Sequence, residues 1–576
     1  MEAYKIADIP AGPVTDELYE YDPLTRTLLA NRGINTGGEA EKFLNPNYER
    51  DIHDPFLIKG MDKAVKRIIR GIEKEEKIVI YGDYDCDGIP GSVVLHDFFK
   101  RIGYKNFSNY IPHRHNEGYG LNSAAVDFFG KDGVTLLITV DLAIANIDEV
   151  AQAQSLGIDV IITDHHLPAL SPDGGEILPP AYAVVNSKQS GDTYPDKMLC
   201  GAGVAWKLAS ALLKARGKEW GVAPGWEKWL LDMAGLSTIA DMVPLRGENR
   251  TIAHYGIKVL RKSPRSGLRK LLRKMRVDQS NLTEDDISFM IAPRINAASR
   301  MDIPLEAFRL LSTDDEKVAD ELSDHLHNLN DSRKELVATM SAEIKNSMSR
   351  RELKEVIVIG NPLWRPGLLG ILASNLVEEY ARPVFVWGRE NGVALKGSCR
   401  SDGTVNVVEM MAAVTRGFFI NAGGHELSGG FSVSHENIHL LEEELIVAYA
   451  KVKREIFTPV KSAIDCELVI DDVTAETYKK IERLAPFGLG NPKPVFLFRN
   501  AEIKEVGMFG KKGNHLKIIF ENSRGGKIPA IGFFMKPLDF KRVPEEGVTV
   551  NLVASIEKSF FRNRPELRMR IVDIVQ

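Results

Sequence analysis

The segment "KIVIYGDYDCDG", residues 77–88, joins a run of apolar residues to three aspartates at alternate positions. The run over 78–81 predicts a strand buried on both faces, as in a parallel sheet. Because alternate side chains of an extended chain point the same way, we expect Asp83, Asp85 and Asp87 to project together beyond the strand. Such carboxylates repel one another unless a cation lies among them. The alternative is an Asp-Gly turn whose carboxylates cap the next helix, and this segment alone leaves both open.

The sequence on either side repeats the same strand-then-helix pattern. Amphipathic helices alternate with β-branched runs from about residue 60, which indicates βαβ units and a parallel sheet. Two further segments, "TLLITVD" and "DVIITDHH", end with Asp141 and with Asp164, His165 and His166, and "GLSTIADMVPL" places Asp241 after another apolar stretch. The carboxyl ends of parallel strands share one edge, where ligands bind. The sequence therefore predicts a cluster of these groups in one crevice.

An oxygen-rich set with one or two imidazoles is a typical ligand set for Mn²⁺ or Mg²⁺, whereas structural zinc prefers nitrogen and sulfur. Five or six such ligands suffice for two ions. Paired metals about 3.5 to 4 Å apart are typical of phosphoester hydrolysis. We therefore predict two divalent cations, with Mn²⁺ preferred or Mg²⁺.

The rest of the chain changes pattern twice. Residues 313–350 have apolar residues at helical spacing with charges between them, and α/β signals resume afterwards. The last part consists of short alternating strands with Gly-rich turns, which favours a small β-barrel. The fold class is thus α/β, with two α/β lobes joined by a long helix and followed by a barrel. The predicted limits are an N-terminal cap 1–50, a parallel-sheet catalytic domain 51–312, a connector helix 313–350, a smaller α/β domain 351–456 and a barrel domain 457–576.

Composition sets broad limits on the protein. The 576 residues are 44% hydrophobic and 27% charged, as in ordinary globular proteins. The net charge of −5 means that nucleic-acid binding must come from local patches. The four cysteines form no CxxC motif, and we find no apolar run of membrane-spanning length and no signal peptide. We expect a cytoplasmic monomer that does not contact a membrane.

Three weaker patterns carry less information. "GAGVAW", residues 201–206, departs from the dinucleotide fingerprint and is interpreted as helix packing, while the absence of GxxxxGK[ST] disfavours a P-loop ATPase. Residues 261–276 carry eight basic side chains in sixteen, which fits a solvated helix face or a phosphate-backbone contact. Aromatic and basic residues in the last domain fit either core positions near strand ends or a single-strand-binding surface: Phe509, Lys511, Lys512, Phe560, Phe561, Arg562 and Arg564.

"DYDCDG" together with "TDHH" resembles the DHH phosphoesterase superfamily. Further segments narrow the resemblance to its bacterial single-strand-specific exonucleases: "HRHNEGYGLN", "TVD", "GLSTIADMVPL", "PRINAASRM", "GSCRS", "GGHELSGGF" and "APFGLGNPKPVF". The similarity covers nearly the whole chain. It implies a DHH domain, a DHHA1 domain and an OB-fold domain in the places of the two lobes and the barrel.

The resemblance also assigns roles to residues. It implies that the ligands of two catalytic ions are Asp83, Asp85, Asp87, Asp141, His165 and Asp241. His166 matches a histidine that contacts the scissile phosphate and completes the catalytic set. The positions that match substrate-binding motifs are Arg114, Arg294, Asn296, Arg300, Ser398, Arg400 and His425. Two departures stand out: Leu142 and Ala143 replace a common Cys-Gly pair, and Arg365 replaces a common His.

The family implies a 5′-to-3′ exonuclease that degrades single-stranded DNA to mononucleotides in repair and recombination. One alternative is a relative that acts on short oligoribonucleotides or cyclic dinucleotides, although such substrates need no distant strand-binding barrel. Another is a catalytically inactive replication scaffold, although each predicted ligand position here carries a competent side chain. The implied partners are single-stranded DNA and, among proteins, a single-strand-binding protein or a helicase.

Overall fold

The structure is a computed structural model. It describes residues 4–6, 17–171, 173–389, 394–453, 461–510, 513–559 and 565–575. Several loop residues predicted to bind nucleic acid lie outside the described residues, namely Lys511, Lys512, Phe560, Phe561, Arg562 and Arg564. Within the described part of the chain, no helix combines the length and apolar character needed to cross a membrane.

The N-terminal segment packs against the far end of the chain. Its elements are β1 (Tyr4–Ile6), α1 (Pro23–Ala30), α2 (Gly37–Leu44) and α3 (Tyr48–Asp51). Leu28 and Phe43 are buried in the same apolar cluster as Phe496 and Phe498 of the C-terminal domain. The N-terminal helices therefore complete the core of a domain that begins more than 400 residues later.

The first lobe is built around a five-stranded parallel sheet. Its elements, in chain order, are α4 (Met61–Glu73), β2 (Ile78–Gly82), α5 (Gly88–Arg101), β3 (Phe107–Tyr110), α6 (Ser123–Lys131), β4 (Leu136–Val140), α7 (Ile147–Ser155), β5 (Asp159–Thr163), β6 (Ala169–Leu170), β7 (Glu176–Ile177), β8 (Ala183–Val185), α8 (Gly201–Arg216), α9 (Leu231–Ala240), α10 (Gly247–Leu260), α11 (Ser266–Met275), α12 (Glu284–Asp286), α13 (Ala292–Met301) and α14 (Leu305–Ser312).

The strand order of this sheet is β3-β2-β4-β5-β8, and all four pairings are parallel. Strands β2 and β4 are buried along their whole length, since helices cover both faces. Register pairs Gly82 with Val140 and Val140 with Thr163, so three strands end at the same level. The acidic residues that follow these strands therefore start from one edge, as the sequence pattern predicts.

A helix of 33 residues, α15 (Glu316–Met348), leads from the first lobe to the second. Its early acidic residues pair with the basic stretch on α11. Arg269 and Lys270 contact Glu316, and Lys274 lies 2.6 Å from Asp324. Part of the basic run is therefore matched to α15, and neither of the two interpretations of the sequence anticipated this helix pairing.

The second lobe holds a five-stranded mixed sheet. Its elements are β9 (Ile357–Gly360), α16 (Pro366–Tyr380), β10 (Val384–Arg389), β11 (Leu395–Arg400), α17 (Val407–Ala412), β12 (Phe419–His425), β13 (Ser428–Val433) and α18 (Leu441–Val452). The order is β12-β13-β11-β10-β9, with β9 and β10 parallel and the other pairs antiparallel. This arrangement places β12 at an edge of the sheet.

The described part of the C-terminal domain contains a seven-stranded sheet and a short α-helix. Its elements are β14 (Lys461–Ile464), β15 (Cys466–Leu468), α19 (Ala475–Glu482), β16 (Phe496–Glu502), β17 (Glu505–Phe509), β18 (His515–Glu521), β19 (Lys527–Phe533), β20 (Thr549–Ser559) and β21 (Glu566–Val575). The strand order is β15-β16-β20-β21-β19-β18-β17, and β14 pairs separately with β1. The predicted fold class, two α/β lobes joined by a long helix and followed by a β domain, is confirmed.

Candidate metal centre and phosphate cavity

The loop after β2 carries the three aspartates of the opening motif. The Oδ1 atom of Asp85 accepts backbone N–H groups of Asp87 at 2.8 Å and Gly88 at 3.2 Å, where α5 begins. Asp83 and Asp87 are 3% and 1% exposed. The Asp85 carboxylate therefore forms the Asp-Gly turn that the sequence offered as an alternative, while Asp83 and Asp87 are buried beside it.

The Asp87 carboxylate faces the first turn of α8. It accepts the N–H of Gly201 at 2.6 Å and the N–H of Ala202 at 2.8 Å. A helix N-terminus stabilises a negative charge through its unpaired N–H groups and its dipole. The "GAG" at the start of α8 therefore fixes a carboxylate of the cluster, a role that the sequence pattern did not reveal.

His165 lies at the centre of the carboxylates. Its Nε2 atom is 3.1 Å from Asp141 Oδ1, 3.5 Å from Asp87 Oδ2 and 3.7 Å from Asp241 Oδ2. Ligand atoms of Asp83, Asp85 and Asp141 also lie within 4.8 Å of one another. The structure thus brings together all six predicted metal ligands in two adjoining groups.

Asp141 has an unusual backbone. Its φ of +64° lies in the left-handed region, and that of Ala143 is +87°. This region favours glycine, and an alanine there is strained. The replacement of the common Cys-Gly pair by Leu142 and Ala143 therefore puts an alanine at a position where glycine would be unstrained. Leu142 is fully buried, and its carbonyl accepts the Thr139 hydroxyl at 3.0 Å.

Asp164 supports the two histidines from behind. It accepts the backbone N–H groups of His165 at 2.7 Å and His166 at 3.1 Å, and its Oδ1 atom is 2.8 Å from His166 Nδ1. Its other oxygen accepts the N–H of Ile144 at 3.0 Å. These contacts occupy the Asp164 carboxylate, which orients His166 towards the crevice.

The negative charges of the cluster are only partly compensated by neighbouring groups. Burial, together with the neighbouring carboxylates, raises the pKa of Asp83, Asp85 and Asp141, and raises the pKa of Asp241 to about 9. Burial lowers the pKa of His165, which favours a neutral imidazole. Three buried atoms of the cluster have no hydrogen-bond partner among the described residues: Asp83 Oδ1, Asp141 Oδ1 and His165 Nδ1. Carboxylate oxygens and neutral imidazoles are suitable donors for Mn²⁺ or Mg²⁺, so the residues fit a pair of such cations.

A cavity of about 410 Å³ adjoins the centre and opens between the two lobes. Tyr84 and Arg114 of the first lobe and Ser398 of the second are among the residues that line it. The Arg114 guanidinium lies 5.0 Å from the centre of the Tyr84 ring. A cation, a hydroxyl and backbone groups around such a space suit a phosphate.

Arg300 contacts two residues that line this cavity, Gly367 and His115. Its guanidinium donates to the Gly367 carbonyl at 3.1 Å, and its own carbonyl lies 3.2 Å from His115 Nε2. Burial, with the nearby charges of Arg114, Arg333 and Arg400, lowers the pKa of Arg300 to about 10. Several half-buried guanidinium groups close together favour an anion as their common partner. Arg400, which follows Ser398 by two residues on β11, donates to the Cys399 carbonyl.

The remaining predicted substrate residues occupy three different places. The His425 ring, on β12, faces that of His166 across the lobes, with centroids 6.5 Å apart and planes at 18°. The Asn296 side chain accepts the N–H of Cys86 at 2.9 Å and so supports the aspartate loop. Arg294 instead donates to Met290 and to His327 of α15. The substrate contacts of these residues stay predictions.

Two further groups near the centre were not singled out from sequence. The Tyr119 hydroxyl is 3.4 Å from both the Asp141 carbonyl and His166 Nδ1. Burial lowers the pKa of Lys188, while the charges of Asp241 and Asp164 oppose that shift. Tyr119 lies in the quoted "HRHNEGYGLN", so that motif held the signal, whereas no local pattern marks Lys188.

Comparisons with known proteins agree with this geometry. Residues 77–235 match the DHH family N-terminal domain, 354–451 match the DHHA1 domain, and 464–573 match the RecJ OB domain. The single-stranded-DNA-specific exonuclease RecJ of Bacillus subtilis (strain 168) is 37% identical over 562 residues, which cover 97% of this chain and 68% of the relative.

The RecJ of Escherichia coli (strain K12) is 30% identical over 596 residues, which cover 100% of this chain and 98% of the relative. The chain belongs to the RecJ family. A crystal structure of RecJ from Thermus thermophilus in complex with Mn²⁺ has a TM-score of 0.80 and 25% identity, and the match covers 100% of this chain and 79% of that RecJ.

Proposed function

We propose that this protein is a metal-dependent exonuclease that hydrolyses single-stranded DNA to mononucleotides from the 5′ end. The observation that carries the proposal is the junction of two sites. A cluster of carboxylates and imidazoles, three of whose buried atoms have no hydrogen-bond partner among the described residues, lies next to a cavity lined by an arginine and a serine from opposite lobes, and Tyr119 contacts both. Membership of the RecJ family supports the same activity and substrate.

Two divalent ions, Mn²⁺ or Mg²⁺, would be held by the six ligands at the edge of the parallel sheet: Asp83, Asp85, Asp87, Asp141, His165 and Asp241. Bound there, they would activate water and neutralise charge on the phosphodiester. The N-terminus of α8 holds the Asp87 carboxylate in place. Asp164 orients His166 towards the scissile phosphate, and Arg114 in the cavity wall, with Arg300 beside it, offers charge to the 5′-terminal phosphate.

The specificity for single strands follows in this proposal from the two lobes. Tyr84 and Arg114 approach the cavity from one side, and Ser398 and Gly423 approach from the other. A single strand carries its phosphates in one narrow backbone that fits between such walls, whereas a duplex has two backbones held apart by the base pairs. The C-terminal OB domain offers a second surface for the strand at a distance from the reaction.

We further propose that the protein acts as a cytoplasmic monomer that receives its strand with the help of a single-strand-binding protein or a helicase. The relatives come from bacteria, whose DNA lies in the cytoplasm. We also propose domain limits of 51–312, 351–456 and 457–576, and the three family matches, which lie inside these ranges, support them. Analytical ultracentrifugation of the purified chain tests the monomer directly.

The experiment that tests the main proposal is digestion of a single strand of about 50 nucleotides in Mn²⁺, with either its 5′ or its 3′ end blocked by biotin and streptavidin. The expected result is mononucleotide release that stops only when the 5′ end is blocked. The matched duplex with blunt ends is expected to resist. Cleavage of dinucleotides at a higher rate than the long strand would contradict the proposal in favour of a small-substrate phosphodiesterase.

The Asp141→Asn variant serves as the control for contaminating nuclease, because it keeps the size of the side chain and removes a charged ligand. Activity in the parent protein that is absent in this variant belongs to the chain itself. Equal activity in both preparations would show that the nuclease is a contaminant or that Asp141 is not needed, and either result would contradict the proposal.

A further inference from the structure

The motif "APFGLGNPKPVF" begins with a loop, residues 485–492, that is remote from the catalytic chemistry in sequence and that we call the docking loop. It is internally rigid. Gly488 and Asn491 exchange backbone hydrogen bonds of 2.9 and 3.1 Å. The fully buried Asn491 side chain donates to the carbonyls of Leu484 at 2.8 Å and Pro486 at 2.9 Å. The loop therefore has a fixed shape of its own.

The docking loop contacts the first lobe directly after a predicted metal ligand. We call residues 241–246 the ligand segment, because it begins with the predicted ligand Asp241. The Leu245 N–H donates to the Leu489 carbonyl at 2.7 Å, and the Arg246 guanidinium donates to the Gly490 carbonyl at 2.6 Å. Leu245 is only 1% exposed. One end of the ligand segment is thus bound to the C-terminal domain.

Arginines on either side strengthen this junction. Arg250 donates to the Ala485 carbonyl at 3.0 Å, and Arg32 donates to Asn491 at 2.8 Å and to the Pro492 carbonyl at 2.7 Å. Hydrogen bonds from charged donors are stronger than neutral ones. The docking loop is therefore held to the first lobe and to the N-terminal helices together.

The other end of the ligand segment lies in the metal centre. Asp241 Oδ2 is 3.7 Å from His165 Nε2, and its side chain is 25% exposed. Within the described parts of the chain, no N–H or O–H group donates a hydrogen bond to the Asp241 carboxylate, whereas Asp87 accepts two. The position of Asp241 therefore depends on its backbone, which α9 holds on one side through the Asp241 N–H bond to the Ser237 carbonyl at 2.8 Å, and which continues on the other side through Met242 at a φ of +57°.

We propose that the docking loop is a positioning element for Asp241, so that the affinity of the metal centre depends on the contact between the C-terminal domain and the ligand segment. The inference rests on the proposed metal-dependent function. It assigns to this motif a part in holding the catalytic ions. Leu245 and Arg246 act through Asp241 and are positioning residues, because neither is among the ligand groups.

Two glycines provide a matched test. Both Gly490 and Gly547 lie in the C-terminal domain in the left-handed region, with φ of +74° and +78°. A Cβ at Gly490 would lie 3.2 Å from Pro244 Cβ in the ligand segment, whereas a Cβ at Gly547 has nothing within 4 Å. Alanine at either position costs similar backbone strain. Only Gly490→Ala presses on the ligand segment.

Binding is measured without DNA, from the six-line EPR signal of free Mn²⁺ during titration of the metal-free full-length protein. We expect Gly490→Ala to raise the Mn²⁺ concentration for half-saturation by about 10-fold, the lower end of the effect of residues that support metal ligands. Gly547→Ala is expected to bind as the parent does. The two variants should lose similar amounts in melting temperature.

A double-mutant cycle with Asp241→Asn separates positioning from general loosening. If the docking loop acts through Asp241, Gly490→Ala adds no further loss of affinity in the Asp241→Asn background. Equal Mn²⁺ binding by Gly490→Ala and Gly547→Ala, or fully additive losses in the cycle, would overturn the inference. Failure of the parent protein to bind Mn²⁺ would instead overturn the metal centre itself.

Discussion

The contact between α8 and the metal centre leads to a sharp prediction for Gly201→Ala. A Cβ at Gly201 would lie 2.5 Å from Asp141 Cβ and 2.7 Å from Asp141 Oδ1. Carbon atoms in contact prefer about 3.5 Å or more, so Asp141 must move by about 1 Å. Asp141 is 3% exposed and already has a φ of +64°, so its side chain has little room to move elsewhere.

The expected effect on function is large, and that on stability is moderate. A displacement of about 1 Å at a catalytic group costs on the order of 100-fold in rate. Overpacking of a buried site costs about 1 to 3 kcal/mol. Gly203→Ala is the matched control in the same helical turn, because its Cβ would meet Cys200 Sγ at an ordinary 3.5 Å.

The assay is release of acid-soluble nucleotides from a uniformly labelled single strand, with Mn²⁺ titrated to saturation for each variant. We expect Gly203→Ala to remain within about 3-fold of the parent rate and Gly201→Ala to fall by about 100-fold, with weaker Mn²⁺ binding. Rates for Gly201→Ala within about 3-fold of its control would refute the reasoning that this helix start sets the position of Asp141.

Three further predictions concern metal, strain and pH. Mn²⁺ at about 100 times its Kd should raise the free energy of unfolding of the metal-free parent by about 2.7 kcal/mol. The same addition should stabilise Asp141→Asn much less, and equal stabilisation of both proteins in calorimetry would contradict Asp141 as a ligand. Ala143 has a φ of +87°, and Ala143→Gly removes the backbone strain of that conformation. The variant should be more stable by up to about 1 kcal/mol in urea unfolding of the first lobe. A loss of stability would show that the strain is absent. Burial and the neighbouring Lys258 and Arg250 lower the pKa of His254 to about 4. The unfolded chain therefore binds more protons than the folded chain between about pH 6.5 and 4, and the free energy of unfolding falls as the pH is lowered through that window. His254→Gln should remove about 1 to 2 kcal/mol of this loss, and identical melting curves of the variant and the parent at about pH 5 would contradict it.

The position of the metal centre was predictable because parallel strands obey a strong local rule. Apolar runs ending in Asp83, Asp141 and Asp164 specify strands, and strands of one parallel sheet end at one edge. The register of β2, β4 and β5 places these ends level. The prediction that Ser398 and Arg400 bind the substrate came from motif resemblance, since no periodicity links the second lobe to the first; the structure places Ser398 in the wall of the cavity.

Contacts between distant segments were not predictable in the same way. Nothing in residues 23–44 indicates that they share a core with Phe496 and Phe498. In sequence, the basic run on α11 resembles a nucleic-acid-binding patch. In the structure, Glu316 and Asp324 of α15 pair with two of its basic side chains. Such pairings depend on where helices meet, and a single sequence holds no local signal for that.

The shared walls of the 410 Å³ cavity have a consequence for inhibitor design. Compounds that chelate divalent metals act on many unrelated hydrolases, because oxygen-rich centres resemble one another. A wedge-shaped anionic compound seated between Arg114 and Ser398 would instead contact side chains from both lobes and keep them apart. Selectivity would then come from the spacing set by α15, a dimension that a chelator does not sense.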